Sequence, residues 1–370
     1  MKICFLEPFF GGSHEDFATG LSASSRHDIR LFTMPARFWK WRSRGAALHF
    51  IHKLGRVDRF DGIMASDLLN LADFKALVRG TCPPIMVYFH ENQLSYPLAS
   101  GERMDYQFGF TNITTALTAD RILFNSATHL NSFLDRLPGF LSMMPDYRPN
   151  WVVDAIDRKV RVLHPGCRFS SKDEVRIDDD DQPPLIIWNH RWEFDKQPAR
   201  FFQVLDMLVE KGIDFRLALL GEKYQKIPGE FELARKRFHP YIVQYGYVDA
   251  KADYFNWLKK GDIVISTAQQ ENFGISVVEA VRHGCMPFLP NRLSYPEIIP
   301  AEHHGQVLYD SRDSLLEKVI AFFSNPSRYN TLRRLLSRDM GKYAWEKMAP
   351  LYDREWQELI GGDQVKRTNA

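Results

Sequence analysis

Asp262-Ile263-Val264-Ile265-Ser266-Thr267-Ala268-Gln269-Gln270-Glu271-Asn272-Phe273-Gly274-Ile275-Ser276-Val277-Val278-Glu279 passes from a short apolar run, through a polar loop, into a segment of helical period. An apolar run this short, bounded by turn residues, reads as a buried strand. Glu271 falls in the loop, Gly274 opens the helix, and Glu279 lies about a turn and a half inside it. A helix that starts here turns its amide groups and positive end toward the loop, which favours an anion. Taken alone, the pair of glutamates reads better as a helix start with an exposed Glu in its first turns.

The same alternation runs outward in both directions. Leu185-Ile186-Ile187-Trp188, Phe215 to Leu220 and Ile242-Val243-Gln244-Tyr245 read as strands on one side. Ile3-Cys4-Phe5-Leu6, Ile85-Met86-Val87-Tyr88-Phe89 and Arg121-Ile122-Leu123-Phe124 read so nearer the start. Helix-period segments separate them, and Phe201, Val204, Leu205, Leu208 and Val209 mark the apolar face of one. Strands alternating with helices predict an α/β chain with parallel sheets, in two Rossmann-like halves. Ser170 to Glu174 and Asp178-Asp179-Asp180-Asp181-Gln182-Pro183-Pro184 form a polar, acidic, proline-closed stretch that reads as the linker. The expected division is 1–169, a linker over 170–184, and 185–342, with ligands at the carboxyl ends of the strands and the active site in a cleft between the halves. The four aspartates read either as a solvated charge run or as carboxylates for a divalent cation.

Across 370 residues, 48 Lys and Arg face 46 Asp and Glu, a net charge of +2, so nothing global marks a nucleic-acid binder and charge has to be read locally. Hydrophobic content of 45% suffices for two cores. Glu7 and Pro8 interrupt the first apolar run, which reads as a strand and not as a secretion signal, and no run reaches the roughly 18 apolar residues of a membrane span. Cys4, Cys82, Cys167 and Cys285 have neither disulfide-like nor metal-ligand spacing, so a reducing, cytoplasmic setting without a bound metal is expected.

Arg191 and Lys196 follow the Leu185–Trp188 strand just before a helix, where two cations suit a diphosphate. Arg-x4-Lys by itself is also ordinary surface charge. With a diphosphate held there, one of Glu271 and Glu279 can accept hydrogen bonds from sugar hydroxyls while the other reaches a ribose. Tyr247, after Gly246 at the end of a strand, stands where a nucleotide base can lie, although a Gly-Tyr that ends a strand is common in itself. In the first half, Gly11 and Gly12 follow the first strand and allow backbone to approach a ligand, or simply make a turn. His90 ends the Ile85–Phe89 strand, where an imidazole can meet a sugar or an acceptor, although a lone His is more often structural.

Arg191 with Lys196, followed by Glu271-x7-Glu279, resembles the donor site of the family 4 retaining GT-B glycosyltransferases. Asn189-His190 stands where that family usually has Gly before the Arg. The resemblance implies a GT-B fold whose two domains face each other across a cleft, with a helix over 343–360 crossing back to the first domain. It also implies that Arg191 and Lys196 bind the diphosphate, that Glu271 holds the transferred sugar and Glu279 the ribose, and that Asn272, Phe273, Gly274 and Ile275 line the donor. No metal or cofactor is implied. Phe10 to His14, Pro35-Ala36-Arg37, Trp39-Lys40-Trp41-Arg42, Tyr88 to Gln93 and Pro145-Asp146-Tyr147-Arg148-Pro149 resemble a narrower group, the tRNA-queuosine mannosyltransferases. That likeness implies mannose transfer from GDP-mannose to the cyclopentenediol of queuosine in tRNA for aspartate, with no membrane and no obligate protein partner.

One feature of the residues agrees with an RNA acceptor. Arg37, Lys40, Arg42, Arg44, Lys53, Arg56 and Arg59 cluster with Trp39 and Trp41 against Asp58 alone. Cations neutralise phosphates and indoles stack on unpaired bases, although a solvated basic helix with core tryptophans has the same composition. A family 4 enzyme for a lipid or polysaccharide acceptor is the alternative, and it would show an amphipathic docking face in the first half.

Overall fold

The computed structural model describes residues 1–98, 101, 103–170, 182–221 and 228–368. The acidic run Asp178–Asp181 lies outside the described residues. The chain divides into two compact units, 1–167 with 343–370, and 168–342.

In the first unit the strands are β1 (Lys2–Phe10), β2 (Asp28–Pro35), β3 (Gly62–Ser66), β4 (Ile85–Phe89), β5 (Arg121–Phe124) and β6 (Val160–Val162). They form a parallel sheet of order β2-β1-β3-β4-β5-β6. The helices are α1 (Gly12–Ser24), α2 (Trp39–Leu54), α3 (Leu71–Leu77), α4 (Tyr106–Thr118), α5 (Ala127–Ser142) and α6 (Trp151–Asp157). Both β3 and β4 are buried throughout, as strands covered on both faces must be. Side-chain caps start the helices: Asn70 accepts from the Asp73 N–H, Asp105 from Gln107, and Ser126 from His129.

The second unit repeats the plan with β7 (Leu185–Trp188), β8 (Arg216–Leu219), β9 (Ile242–Tyr245), β10 (Ile263–Ile265), β11 (Met286–Pro290) and β12 (Leu308–Tyr309), in the order β12-β11-β10-β7-β8-β9. Its helices are α7 (Pro198–Glu210), α8 (Gly229–Arg237), α9 (Lys251–Lys260), α10 (Ile275–Arg282), α11 (Tyr295–Ile298), α12 (His304–Val307), α13 (Arg312–Ser324) and α14 (Asn330–Met340). Pro198 sits in the first turn of α7, where its missing N–H costs nothing, and Phe201, Val204, Leu205 and Leu208 are buried. Val209, expected on the same face, is 37% exposed because it has rotated past the buried stripe.

The last helix, α15 (Trp345–Thr368), belongs to the first unit. Asp353 accepts from the Arg26 N–H at 3.1 Å, Tyr352 Oη donates to the His164 carbonyl at 2.8 Å, and Glu355 pairs with Arg121. Trp345 and Trp356 are buried beneath these polar contacts.

Strand order reverses between β1 and β3 in one sheet and between β7 and β10 in the other. The diverging loops leave a crevice at the carboxyl ends of such strands, so these two places are where each unit can hold a ligand.

Candidate active site

The reversal in the second unit collects the residues marked in the sequence. The loop after β7 turns through a short 3-10 segment, Phe194–Lys196, and carries Lys196 into the interior. The loop after β10 is clamped against it. The Gln269 N–H donates to the Asp195 carbonyl at 2.7 Å, and Thr267 Oγ1 donates to the carbonyls of Lys196 and Gln197 at 2.9 and 3.1 Å. Lys196 Nζ then meets Glu271 Oε2 at 3.3 Å, Asp195 Oδ2 at 3.1 Å and the Gln270 carbonyl at 2.7 Å. Burial works against the ammonium, yet Glu271 and Asp195 outweigh it and hold its pKa above the ordinary value. Burial likewise opposes ionised Glu271, and Lys196 overrides it and pulls that carboxyl below its usual range.

Arg191 is partly exposed and faces Glu193 at 3.2 Å. Both cations therefore carry acidic partners, which the spacing did not show. Asp195 was legible only as a neighbour of Lys196 in sequence. Gly274 caps α10 at φ +100°, a left-handed conformation that glycine adopts without strain. Asn272, Phe273 and Ile275 surround that turn, and Asn272 accepts from Gln270 Nε2 at 2.8 Å.

Glu279 is buried and not an exposed first-turn residue. Lys251 Nζ lies 2.9 Å from its Oε1, Tyr254 Oη donates to its Oε2 at 2.9 Å, and Asn189 donates to Tyr254 Oη at 2.9 Å and to the Ser276 carbonyl at 2.8 Å. No spacing pointed to Lys251 or Tyr254, because α9 meets α10 only in the folded unit. His190, beside Arg191, is held neutral: burial, and then the charge of Lys196, push its pKa down to about 4. Tyr247 follows Gly246 after β9 and is 53% exposed. A cavity of about 480 Å³ lined by Arg200, Arg292, Arg312 and Thr267 opens beside this group without including Lys196 or Glu271.

A second buried group occupies the reversal in the first unit. Gly11 is extended where β1 meets α1, and a side chain there would strike Ala36 Cβ at 2.5 Å, so its place is set by close packing. Gly12, at φ +54°, begins α1. His14 Nδ1 lies 3.2 Å from Glu7 Oε2, and its ring stacks on His90 with centroids 3.9 Å apart and planes at 27°. The His90 N–H donates to Asp67 Oδ1 at 2.8 Å, and Ser66 Oγ donates to Glu7 Oε1 at 3.1 Å. Glu7, His14 and His90 place three ligand-type atoms within 4.8 Å of one another, a grouping invisible to the search for paired spacings. Burial disfavours charge on His14, but Glu7 raises its pKa. His90 is driven well below the ordinary value by burial and then by His14, and burial pushes the Asp67 carboxyl up to about 8.

A pH dependence follows. A carboxyl whose folded pKa is about 8 stays protonated in the native protein while the unfolded chain ionises near its ordinary value of about 3.9. Its contribution to stability is therefore present at low pH and is lost as pH rises toward 8. His14, also raised, loses its contribution in the same direction above about pH 6.5. Asp67→Asn should flatten the decline in unfolding free energy between about pH 5 and 8 by on the order of 1 kcal/mol or more, read from urea midpoints. Equal slopes for both proteins would refute this.

Of the expected RNA-facing residues, Lys40, Trp41, Arg42 and Arg44 lie on α2 and Arg37 just before it. Arg37, Lys40 and Arg44 are exposed, Trp41 is 78% exposed, and Arg42 Nε donates to the Pro35 carbonyl at 3.4 Å. Arg44 donates to Gln107 at 2.9 Å. Trp39 is instead half-buried, its ring 4.8 Å from that of Phe108, and Arg56 is paired with Asp58. The cluster thus thins toward its carboxyl-terminal end. All four cysteines are free, and burial pushes the Cys4 and Cys285 thiols up to about 12. Among the described residues, no helix is long and apolar enough to cross a membrane.

Comparison with known proteins carries the same division of the chain. Residues 2–167 match the family model for the tRNA-queuosine alpha-mannosyltransferase N-terminal domain, and residues 170–344 match glycosyl transferases group 1. A Drosophila melanogaster tRNA-queuosine alpha-mannosyltransferase is 37% identical over 375 residues, covering 98% of each chain. A GDP-mannose-dependent alpha-(1-6)-phosphatidylinositol dimannoside mannosyltransferase of Mycobacterium tuberculosis is 24% identical over 165 residues, 45% of this chain and 42% of that one. Among solved structures, sucrose-phosphate synthase from Thermosynechococcus elongatus superposes with a TM-score of 0.76 at 13% identity, covering 98% of this chain and 100% of that one. Anabaena HepE in complex with UDP and glucose gives 0.68 at 12% identity, covering 98% and 99%. The full-length superpositions establish the GT-B fold of glycosyltransferases. With a transferase domain behind an N-terminal domain of its own kind, and with identity to the Drosophila protein along nearly the whole length, the chain is a glycosyltransferase that belongs to the tRNA-queuosine alpha-mannosyltransferase family.

Proposed function

We propose that the protein transfers mannose from GDP-mannose, with retention, to the cyclopentenediol of queuosine in tRNA for aspartate, in the cytoplasm. The likeness to the Drosophila enzyme over 98% of both chains carries this reading. In the second unit Lys196 and Arg191 meet the diphosphate and stabilise its charge as the glycosidic bond breaks. Glu271 receives hydroxyls of the transferred sugar and Glu279 those of the ribose, while Tyr247 and the turn from Asn272 to Ile275 line the nucleotide. Donors held in a dry site need no reorganisation as charge develops, and this is the main source of rate in such a centre. In the first unit the neutral His90, at a strand's carboxyl end, meets the sugar or the acceptor hydroxyl, and Gly11 and Gly12 bring backbone close to it. The match of residues 2–167 favours an RNA acceptor over a lipid or polysaccharide. Incubation of the purified protein with GDP-mannose and queuosine-containing tRNA, followed by nucleoside mass spectrometry, should yield a hexosyl-queuosine; no such product, with tRNA recovered intact, would refute the assignment.

Leaving-group charge is assigned to Lys196 and Arg191, so transfer should persist in EDTA. Activity that EDTA abolishes and Mg²⁺, Mn²⁺ or Zn²⁺ restores would count against it, with Glu7, His14 and His90 then the first residues to test. Arg42→Ala with Arg44→Ala should weaken tRNA binding and reduce its salt slope by up to about one unit per lost phosphate contact. Titrations at several salt concentrations read both, and an unchanged slope would return α2 to ordinary surface.

A further inference from the structure

Among the described residues, four besides glycine hold a positive φ: Phe38, Tyr147, Gln197 and Leu293. Gln197 follows Lys196, and Leu293 precedes Ser294, whose hydroxyl donates to the Phe273 carbonyl, so these two lie in the donor loops. The other two are exposed aromatic residues of the first unit. Phe38 is at φ +55° and 61% exposed, and Tyr147 is at φ +45° and 92% exposed. Left-handed backbone costs a residue with a side chain, and burial of these rings does not offset that cost. A glycine or asparagine would hold either turn more cheaply. Each ring stands next to a guanidinium in sequence, Arg37 and Arg148, and each begins a short path to an exposed indole, Trp41 and Trp151.

Contacts run from the first turn to the helix that precedes the second. Trp39 packs on Phe108 and Arg44 on Gln107, which fastens the start of α2 to the first turn of α4. Tyr106 and Phe110, in the same turns of α4, lie 6.2 and 5.0 Å from the ring of Phe140 near the end of α5, just before Tyr147 and Trp151. Tyr106 is itself 52% exposed. Among the described residues, Arg37, Lys40, Arg42 and Arg44 form no ion pair with an acidic side chain, while Asp146 and Asp154 are the acidic neighbours on the other arm.

We propose that Phe38 and Tyr147 are base-stacking platforms for unpaired nucleotides of the RNA acceptor, with Trp41 and Trp151 beside them and the arginines on the adjoining phosphates. The inference rests on the acceptor reading above and adds to it a second arm, residues 143–151, with stacking as the mode of recognition. Aromatic rings interspersed with cations match a strand that alternates π-faces with phosphates. The left-handed turns keep the rings out of the protein's own packing.

The test is the double variant Phe38→Asn/Tyr147→Asn, since asparagine accepts left-handed backbone. Binding of a fluorescein-labelled anticodon stem-loop RNA is followed by anisotropy at fixed salt, with melting temperature as the control for folding. Stacking predicts a loss of about fivefold or more in affinity per ring, an unchanged or raised melting temperature, and less than about a twofold change on blunt duplex RNA. Tyr147→Phe should bind as the parent does. Stem-loop affinity within twofold of the parent overturns the inference, as does a lowered melting temperature, which would make the rings structural. Vesicles of phosphatidylcholine and phosphatidylserine bound by the parent and released by the variant, with RNA binding unaltered, would assign the face to a membrane instead. Hexosyl transfer by the parent with no binding loss in the variant removes the stacking site and leaves the function standing. A parent that loses stem-loop affinity on substitution but transfers no sugar removes the function and leaves the RNA face.

Discussion

Replacing Lys196 with Ala is expected to cost about 3–5 kcal/mol of stability, because it breaks a buried ion pair and leaves the remaining charge uncompensated. Lys196 is 6% exposed and Asp195 fully buried, and their contact with Glu271 closes the loops after β7 and β10 on one ammonium. Desolvated carboxylates without that cation must take up protons or open the loops to water. Urea unfolding at neutral pH reads the loss, and an unfolding free energy within about 1 kcal/mol of the parent's would show that the pair is not closed in solution. Lys196 is thus as much a part of the fold as of the proposed donor site, and its removal is a poor test of catalysis alone.

Glu271→Gln separates the two roles and should reduce turnover at least tenfold, about 1.4 kcal/mol of transition-state stabilisation or more, in a protein that still folds. Gln keeps the shape and an acceptor for Lys196 Nζ, now 3.3 Å from Glu271 Oε2, and Asp195 remains to balance the ammonium. What disappears is the negative charge proposed to receive the sugar hydroxyls. Arg191→Ala should give a similar loss with less effect on folding, since Arg191 is partly exposed and its partner Glu193 can turn to solvent. Steady-state kinetics with GDP-mannose measures both, and near-normal turnover in either folded variant would sink the donor assignment.

The parallel α/β plan was legible because its central strands are buried on both faces. Such strands need continuous apolar residues, and Ile85–Phe89, Arg121–Phe124 and Leu185–Trp188 are found at the bounds read from sequence, as is the partly buried edge strand Ile242–Tyr245. The strands passed over lack that mark. β2 is an edge strand with a mixed burial pattern, β3 opens on glycine and ends in Ala-Ser, β11 carries two prolines, and β12 has two residues. Their strand character comes from the neighbours they pair with, which no local window contains.

For the site the sequence alone determined which residues stand at the carboxyl ends of strands: Arg191 and Lys196 after β7, Glu271 after β10, His90 after β4, and the helix start at Gly274. Local order suffices there, since a strand followed at once by a loop and a helix puts the intervening side chains at the sheet's edge. Tertiary structure alone decided their partners. Asp195 between the loops, Lys251 and Tyr254 on Glu279, and Glu7, His14 and Asp67 around His90 come from elements as many as 83 residues apart, and the charges they meet set the pKa directions. Coulomb attraction and desolvation depend on distance and burial in space, and spacing along a chain carries neither.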